Sequence, residues 1–107
     1  MSVERRPLDL PIAGNSVADE VRKTGQRAPS LVSDVRDPNA VDRLLEQVVS
    51  EFGRVDFVIN NAGAARGNDR VPVVDVAVED WNKVIDVNLN GTFNMSRVFG
   101  RRLIEQG

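Results

Sequence analysis

The chain contains no cysteine, no histidine and no tyrosine among its 107 residues. Without cysteine there is no disulfide, no thiolate nucleophile and no zinc–thiolate centre, and no metal site is expected. Without histidine the commonest general base is missing, and without tyrosine so is the phenolic acid. An excess of one charge is lacking too. Fourteen basic side chains stand against sixteen acidic ones, a net charge of −2, and no basic stripe offers a footprint for a nucleic acid or an anionic membrane surface. The longest basic group, Arg101-Arg102, reads as a solvated pair near a helix C-terminus, where cations suit the dipole. No apolar run reaches the roughly 18 residues of a membrane span, and the first residues lack a basic region followed by an apolar one. The default expectation is a cytoplasmic protein.

What is present is ordinary globular composition, 41% hydrophobic and 28% charged, enough for one small core. Pro7 and Pro11 argue against a continuous helix at the start, so residues 1–14 are read as a leader and 15–107 as the domain. Asn15 to Lys23 suits a short helix with Val17, Ala18 and Val21 on one face, ended at Thr24-Gly25. Ser30 to Ser33 reads as a strand delivering Asp34-Val35 at its C-terminal end. Asp37-Pro38 is a helix start, with aspartate at the N-cap and proline in the first turn. Val41, Leu44, Leu45, Val48, Val49 and Phe52 then make an apolar stripe, and Gly53 is placed to stop the helix.

Val55 to Ile59 is nearly continuous in apolar character, as a strand covered by helices on both faces would be. Strand, amphipathic helix and strand form a βαβ unit, so the predicted class is α/β with part of a doubly wound parallel sheet. After an irregular stretch from Ala64 to Val76, a long helix is predicted from about Val78 to Glu105. Trp81, Ile85, Asn88, Thr92, Met95, Phe99 and Leu103 share one stripe at roughly 100° per residue. Val84, Val87, Gly91 and Val98 form an adjoining stripe, with Arg102 at its end. So broad an apolar arc calls for further strands or a partner subunit to cover it.

Open parallel sheets bind ligands beyond the C-terminal ends of their strands, where both Asp34-Val35 and Asn60-Asn61-Ala62-Gly63 fall. The second group joins side chains able to clamp backbone to small residues that permit close approach, although a plain strand-to-loop turn explains it as well. Asn88 is a polar intrusion in an apolar stripe, and its amide must be satisfied or cost about 1 kcal/mol or more. A satisfied structural amide or a kink near Gly91 is the alternative to a functional role. Asn90 and Asn94 are read as surface or interface groups. Asp75 is the candidate cap for the long helix, because Ala77 occupies the position where a hydroxyl would serve.

Taken in order, Ser33-Asp34-Val35, then Gly53 to Gly63, then Trp81 leading to Asp86-Val87-Asn88-Leu89-Asn90-Gly91-Thr92-Phe93, the chain resembles the short-chain dehydrogenase/reductase family from about Asn15 to Gly107. The resemblance implies a Rossmann-like, three-layer α/β/α fold in the complete protein. It also implies an NAD(P)-dependent oxidoreductase acting on a small carbonyl or secondary alcohol, assembled as a homodimer or homotetramer. By resemblance Asp34 would bind the adenine amino group and the Val35 backbone its ring. Asn61, Ala62 and Gly63 would line the adenosine side. Asn88 would be the catalytic-site residue that kinks the helix and whose main-chain carbonyl helps hold a water of the proton relay. The long helix would lend a face to a subunit interface.

The departures from the family pattern carry expectations of their own. The Gly-rich phosphate turn of the first strand and the end of the second strand are missing, and the resemblance passes from a leader to a later helix, which predicts an absent segment between Gly14 and Asn15. The active-site serine, tyrosine and lysine would lie beyond Gly107. The 107-residue chain by itself is therefore expected to bind NAD or NADP weakly or not at all and to be inactive. An inert binding or assembly fragment, or a non-enzymatic α/β structural module, remain the alternatives to an enzyme.

Overall fold

A computed structural model describes residues 13–64 and 70–107. Most of the expected leader and part of the stretch after Ala64 lie outside the described residues. Helix α1 spans Ala13–Arg22, so it begins two residues before the predicted start at Asn15. It stops as predicted at Thr24-Gly25. The Gly25 N–H donates to the Arg22 carbonyl, and Gly25 has a φ of 90°, a left-handed conformation that glycine adopts without steric cost. Ala18 is buried while Val17 is exposed, so the buried part of the α1 face is narrower than its three apolar residues suggest.

Helix α2, Pro38–Phe52, is set at both ends by the residues that announce it. The Asp37 carboxylate accepts from the Asn39 N–H at 3.0 Å, Pro38 occupies the first turn, and Gly53, at φ 82°, returns its N–H to the Val49 carbonyl. Val41, Leu44 and Val48 are buried, while Leu45 packs at the edge of the core. Phe52 is partly exposed, and Arg27 lies 4.7 Å from its ring centroid.

The predicted long helix exists, but it is not of one kind. Helix α3 covers Val78–Ile85, five residues Asp86–Asn90 form a π turn, and α4 continues over Gly91–Gln106. In the π turn the Gly91 N–H reaches back to the Asp86 carbonyl, a five-residue span that takes up one extra residue and turns the faces of α4 by about 100° relative to α3. The single stripe predicted from Trp81 to Leu103 therefore does not survive intact. Trp81 is 56% exposed and Thr92 is exposed. The buried line of α4 is Gly91, Asn94, Met95, Val98 and Phe99, which merges part of each predicted stripe. Asp75 does not cap α3. It closes a short 3-10 turn, Val73–Asp75, and Ala77 is the N-cap, without a side-chain hydrogen bond. Glu79 and Asp80 supply the negative charge of the first turn instead.

One core joins α2 to α4. Val41, Leu44 and Val48 meet Met95, Val98 and Phe99, with Val35 from just beyond the first segment predicted as a strand and Val55 from the second. Those segments form no ladder: among the described residues no strand is assigned, and no backbone hydrogen bond joins 26–34 to 54–64. Each instead lays one side on the helices and leaves the other open. Val35, Val55 and Ser33 are buried, whereas Val32, Phe57 and Ile59 are 70–87% exposed. The expectation that helices cover both faces is thus met on one face in the described residues.

The start of the second segment is held by side chains in place of a neighbouring strand. The Val55 N–H donates to Gln106 Oε1 at 3.0 Å, and Gln106 Nε2 donates back to the Val55 carbonyl. Arg102 secures this arrangement, donating to Gln106 Oε1 at 2.9 Å and to the Gly53 carbonyl at 3.1 Å. Arg101 is exposed as expected, but Arg102 is half-buried and structural. Its distance in sequence from Gly53 hid that role.

Candidate functional site

The residues singled out for chemistry meet where two segments, Ala62 to Ala64 and Asp34-Val35, reach the middle of the helix that carries the π turn. Asn88, inside the π turn, accepts on Oδ1 from the Ala64 N–H at 2.7 Å. The same oxygen would lie 3.5 Å from a Cβ built on Gly63, so the amide sits directly beside the Ala62-Gly63 turn. The main-chain carbonyl of Asn88 accepts from the Thr92 hydroxyl at 2.9 Å. Asn88 is thus a hydrogen-bonded amide within the π turn, and it is exposed rather than set into a buried stripe. Of the loop it grips, Ala62 packs against the core while Asn61 and Gly63 are exposed.

The second group is Asp34-Val35. Val35 is 5% exposed and so close to α4 that a Cβ on Gly91 would meet Val35 Cγ2 at 2.5 Å. No other residue fits at Gly91 unless Val35 moves. Asn94, one turn further on, donates from Nδ2 to the Val35 carbonyl at 2.8 Å. Asn94 is 6% exposed, which corrects its reading as a surface or interface group. Asn90 is exposed, as expected, and bonds to Asp86. The signal for Asn94 was available, since it stands midway between Gly91 and Val98 in the adjoining stripe.

Asp34 holds Arg36. The carboxylate accepts the Arg36 backbone N–H at 3.0 Å, Nε at 2.9 Å and 3.2 Å, and Nη2 at 2.7 Å. This fork-to-carboxylate geometry is the strong form of an ion pair. The Arg36 guanidinium is pushed above its ordinary pKa, first by the hydrogen bond to Asp34 and then by the charge of Asp34, opposed by burial and helped least by the charge of Asp86. Arg36 was missed in the sequence because a charged residue after a strand end reads as solvated surface.

The chemistry of the donors and acceptors fits the adenine end of a dinucleotide. A carboxylate and main-chain groups beside it can meet the amino group and ring nitrogens of a purine. The pyrophosphate is less well served. The N-terminus of α2 is closed by the Asp37 carboxylate, which repels rather than receives an anion.

The family model for short chain dehydrogenase matches residues 11–107. The chain belongs to the short-chain dehydrogenase family. It is similar to 2-dehydro-3-deoxy-D-gluconate 5-dehydrogenase of Dickeya dadantii, 35% identical over 89 residues, covering 83% of this chain and 34% of the relative. Among solved structures, NAD+-bound xylitol dehydrogenase superposes with a TM-score of 0.80 at 34% identity, over 86% of this chain and 35% of that one. A 3-ketoacyl-ACP reductase from Sinorhizobium meliloti 1021 gives 0.77 at 32%, over 87% and 36%. The chain spans about a third of the length of the curated short-chain dehydrogenases it matches.

The fold of these dehydrogenases is the doubly wound α/β, Rossmann-like one, and the chain with its unpaired segments 26–34 and 54–64 is part of such a fold.

Proposed function

We propose that this chain forms the adenosine side and the central helix of a nicotinamide-dinucleotide crevice in an oxidoreductase that interconverts a carbonyl and a secondary alcohol. The observation that carries this reading is the joint attachment of the ends of both extended segments to one helix: Asn88 to Ala64, and Gly91 with Asn94 to Val35. Such an arrangement fixes the separation of two ligand-facing turns, which is what a rigid two-ended ligand requires. Asp34 and the Val35 backbone would hold the adenine, and Asn61, Ala62 and Gly63 would line its ribose. Asn88 would present its carbonyl toward a water of the proton relay, a role in which the Thr92 hydroxyl competes for the same oxygen.

The nicotinamide supplies the hydride when bound, and a proton must move to or from the substrate oxygen in the same reaction. Nothing in this chain is a phenol or an imidazole, so the commonest general base and the phenolic acid are not among its residues. The 107-residue chain by itself is accordingly proposed to be inactive, with the chemistry in the complete protein. NAD and NADP are both compatible with these residues, because the position that separates them lies on the second strand. No helix among the described residues is long and apolar enough to cross a membrane. The exposed apolar side chains Val32, Phe57 and Ile59 favour association, with further sheet or a second copy.

The test is equilibrium titration with NADH, followed by its fluorescence, on the complete protein and on its Asp34→Ala variant. Binding should weaken about tenfold in the variant, the loss of a charged hydrogen-bond acceptor. Unchanged binding would remove Asp34 from the site and with it this reading of the crevice.

A further inference from the structure

Among the described residues two polar side chains are buried, Ser33 and Asn94. Both brace the same short segment. Ser33 Oγ donates to the Ala40 carbonyl at 3.4 Å, and Asn94 Nδ2 donates to the Val35 carbonyl at 2.8 Å. An amide on the core face of α4 costs free energy unless bonded, and an aliphatic residue would fill the same space without that demand. Gly91, three residues earlier on the same face, brings the helix against the Val35 side chain. Val35 is thus fixed twice from α4, by contact at its side chain and by a hydrogen bond at its carbonyl, immediately beside Asp34.

We infer that Asn94 is a positioning residue for the recognition of adenine, acting through the Val35 carbonyl to hold the Val35-Arg36 peptide, and with it the turn that carries Asp34, in register with the purine edge. This rests on the proposed role of the chain in holding a dinucleotide. A peptide plane fixed at its oxygen has its orientation set, and with it the direction of the groups that flank it. Freed from Asn94, the 34–36 turn keeps its Asp34–Arg36 pair but loses its registration against α4. The consequence falls on selectivity for adenine before it falls on dinucleotide binding as a whole.

The experiment compares NAD+ with nicotinamide hypoxanthine dinucleotide, which lacks the adenine amino group, by calorimetric titration of the protein and of Asn94→Leu. The unsubstituted protein should prefer NAD+, and the variant should lose that preference, by about five- to tenfold in the ratio of the two dissociation constants. If Asn94→Leu weakens both ligands equally and keeps the preference, Asn94 is structural alone and the inference fails while the cofactor reading stands. If the complete protein, unsubstituted, binds neither dinucleotide, the cofactor reading fails and takes the inference with it. Should Asn94→Leu not fold, the side-chain amide resonance of Asn94 in the unsubstituted protein decides. A larger shift with NAD+ than with the hypoxanthine analogue supports the inference, and equal shifts overturn it.

Discussion

Asn88 Oδ1 and the Ala64 N–H are 2.7 Å apart, and this bond joins a π turn in one helix to a loop 24 residues earlier in the chain. The amide is solvent-exposed, so its removal lets water replace the acceptor. Asn88→Ala should therefore cost about 0.5–1.5 kcal/mol, the usual net worth of such a bond, and Asn88→Asp, which keeps the acceptor, should cost less. Thermal unfolding of the two variants measures the difference. Equal losses would mean that the bond to Ala64 contributes nothing.

Gly91→Ala should destabilise the protein. The added methyl would meet Val35 Cγ2 at 2.5 Å, and overpacking of this kind costs about 1–3 kcal/mol, against a gain of about 1 kcal/mol in helix propensity. Combining Gly91→Ala with Val35→Ala should cost less than the sum of the two single changes, because the second makes room for the first. Additive losses in chemical denaturation would show that the close approach is not the cause.

Leu44→Ala removes one of the most deeply buried side chains, 1% exposed, and should cost about 2–5 kcal/mol. Asp37→Ala, at the start of the same helix, should cost about 1 kcal/mol through the lost cap. Denaturant titration should rank the two in that order. A reversal would place the stability of α2 at its end rather than on its buried face.

The Asp34–Arg36 pair should contribute equally across neutral pH as far as the arginine is concerned. Its pKa is raised on folding, so its contribution is complete below the unfolded value and is lost only as pH rises through the folded one, above the ordinary range of arginine. The stability difference between the protein and Arg36→Gln, measured at pH 6 and pH 9, should be the same. A difference that shrinks over this interval would contradict the origin assigned to the pair.

The sequence by itself determined the local events. Asp37-Pro38 and Gly53 bound α2 because caps and left-handed glycines act within one turn, and Val41, Leu44 and Val48 face the core because the helical period is uniform there. It also marked Asp34-Val35, Asn61 to Gly63 and Asn88 as candidates, since those motifs carry a family resemblance that the match over residues 11–107 bears out. Tertiary structure alone decided three things. The π turn at Asp86–Asn90 shifted the helix phase, which no fixed periodicity can anticipate. Asn94 and Arg102 became internal ties, to Val35 and to Gly53, because their partners lie 59 and 49 residues away in sequence. The segments 26–34 and 54–64 stayed unpaired because a strand is completed by its neighbours, and a ladder is a property of two segments brought together rather than of either sequence.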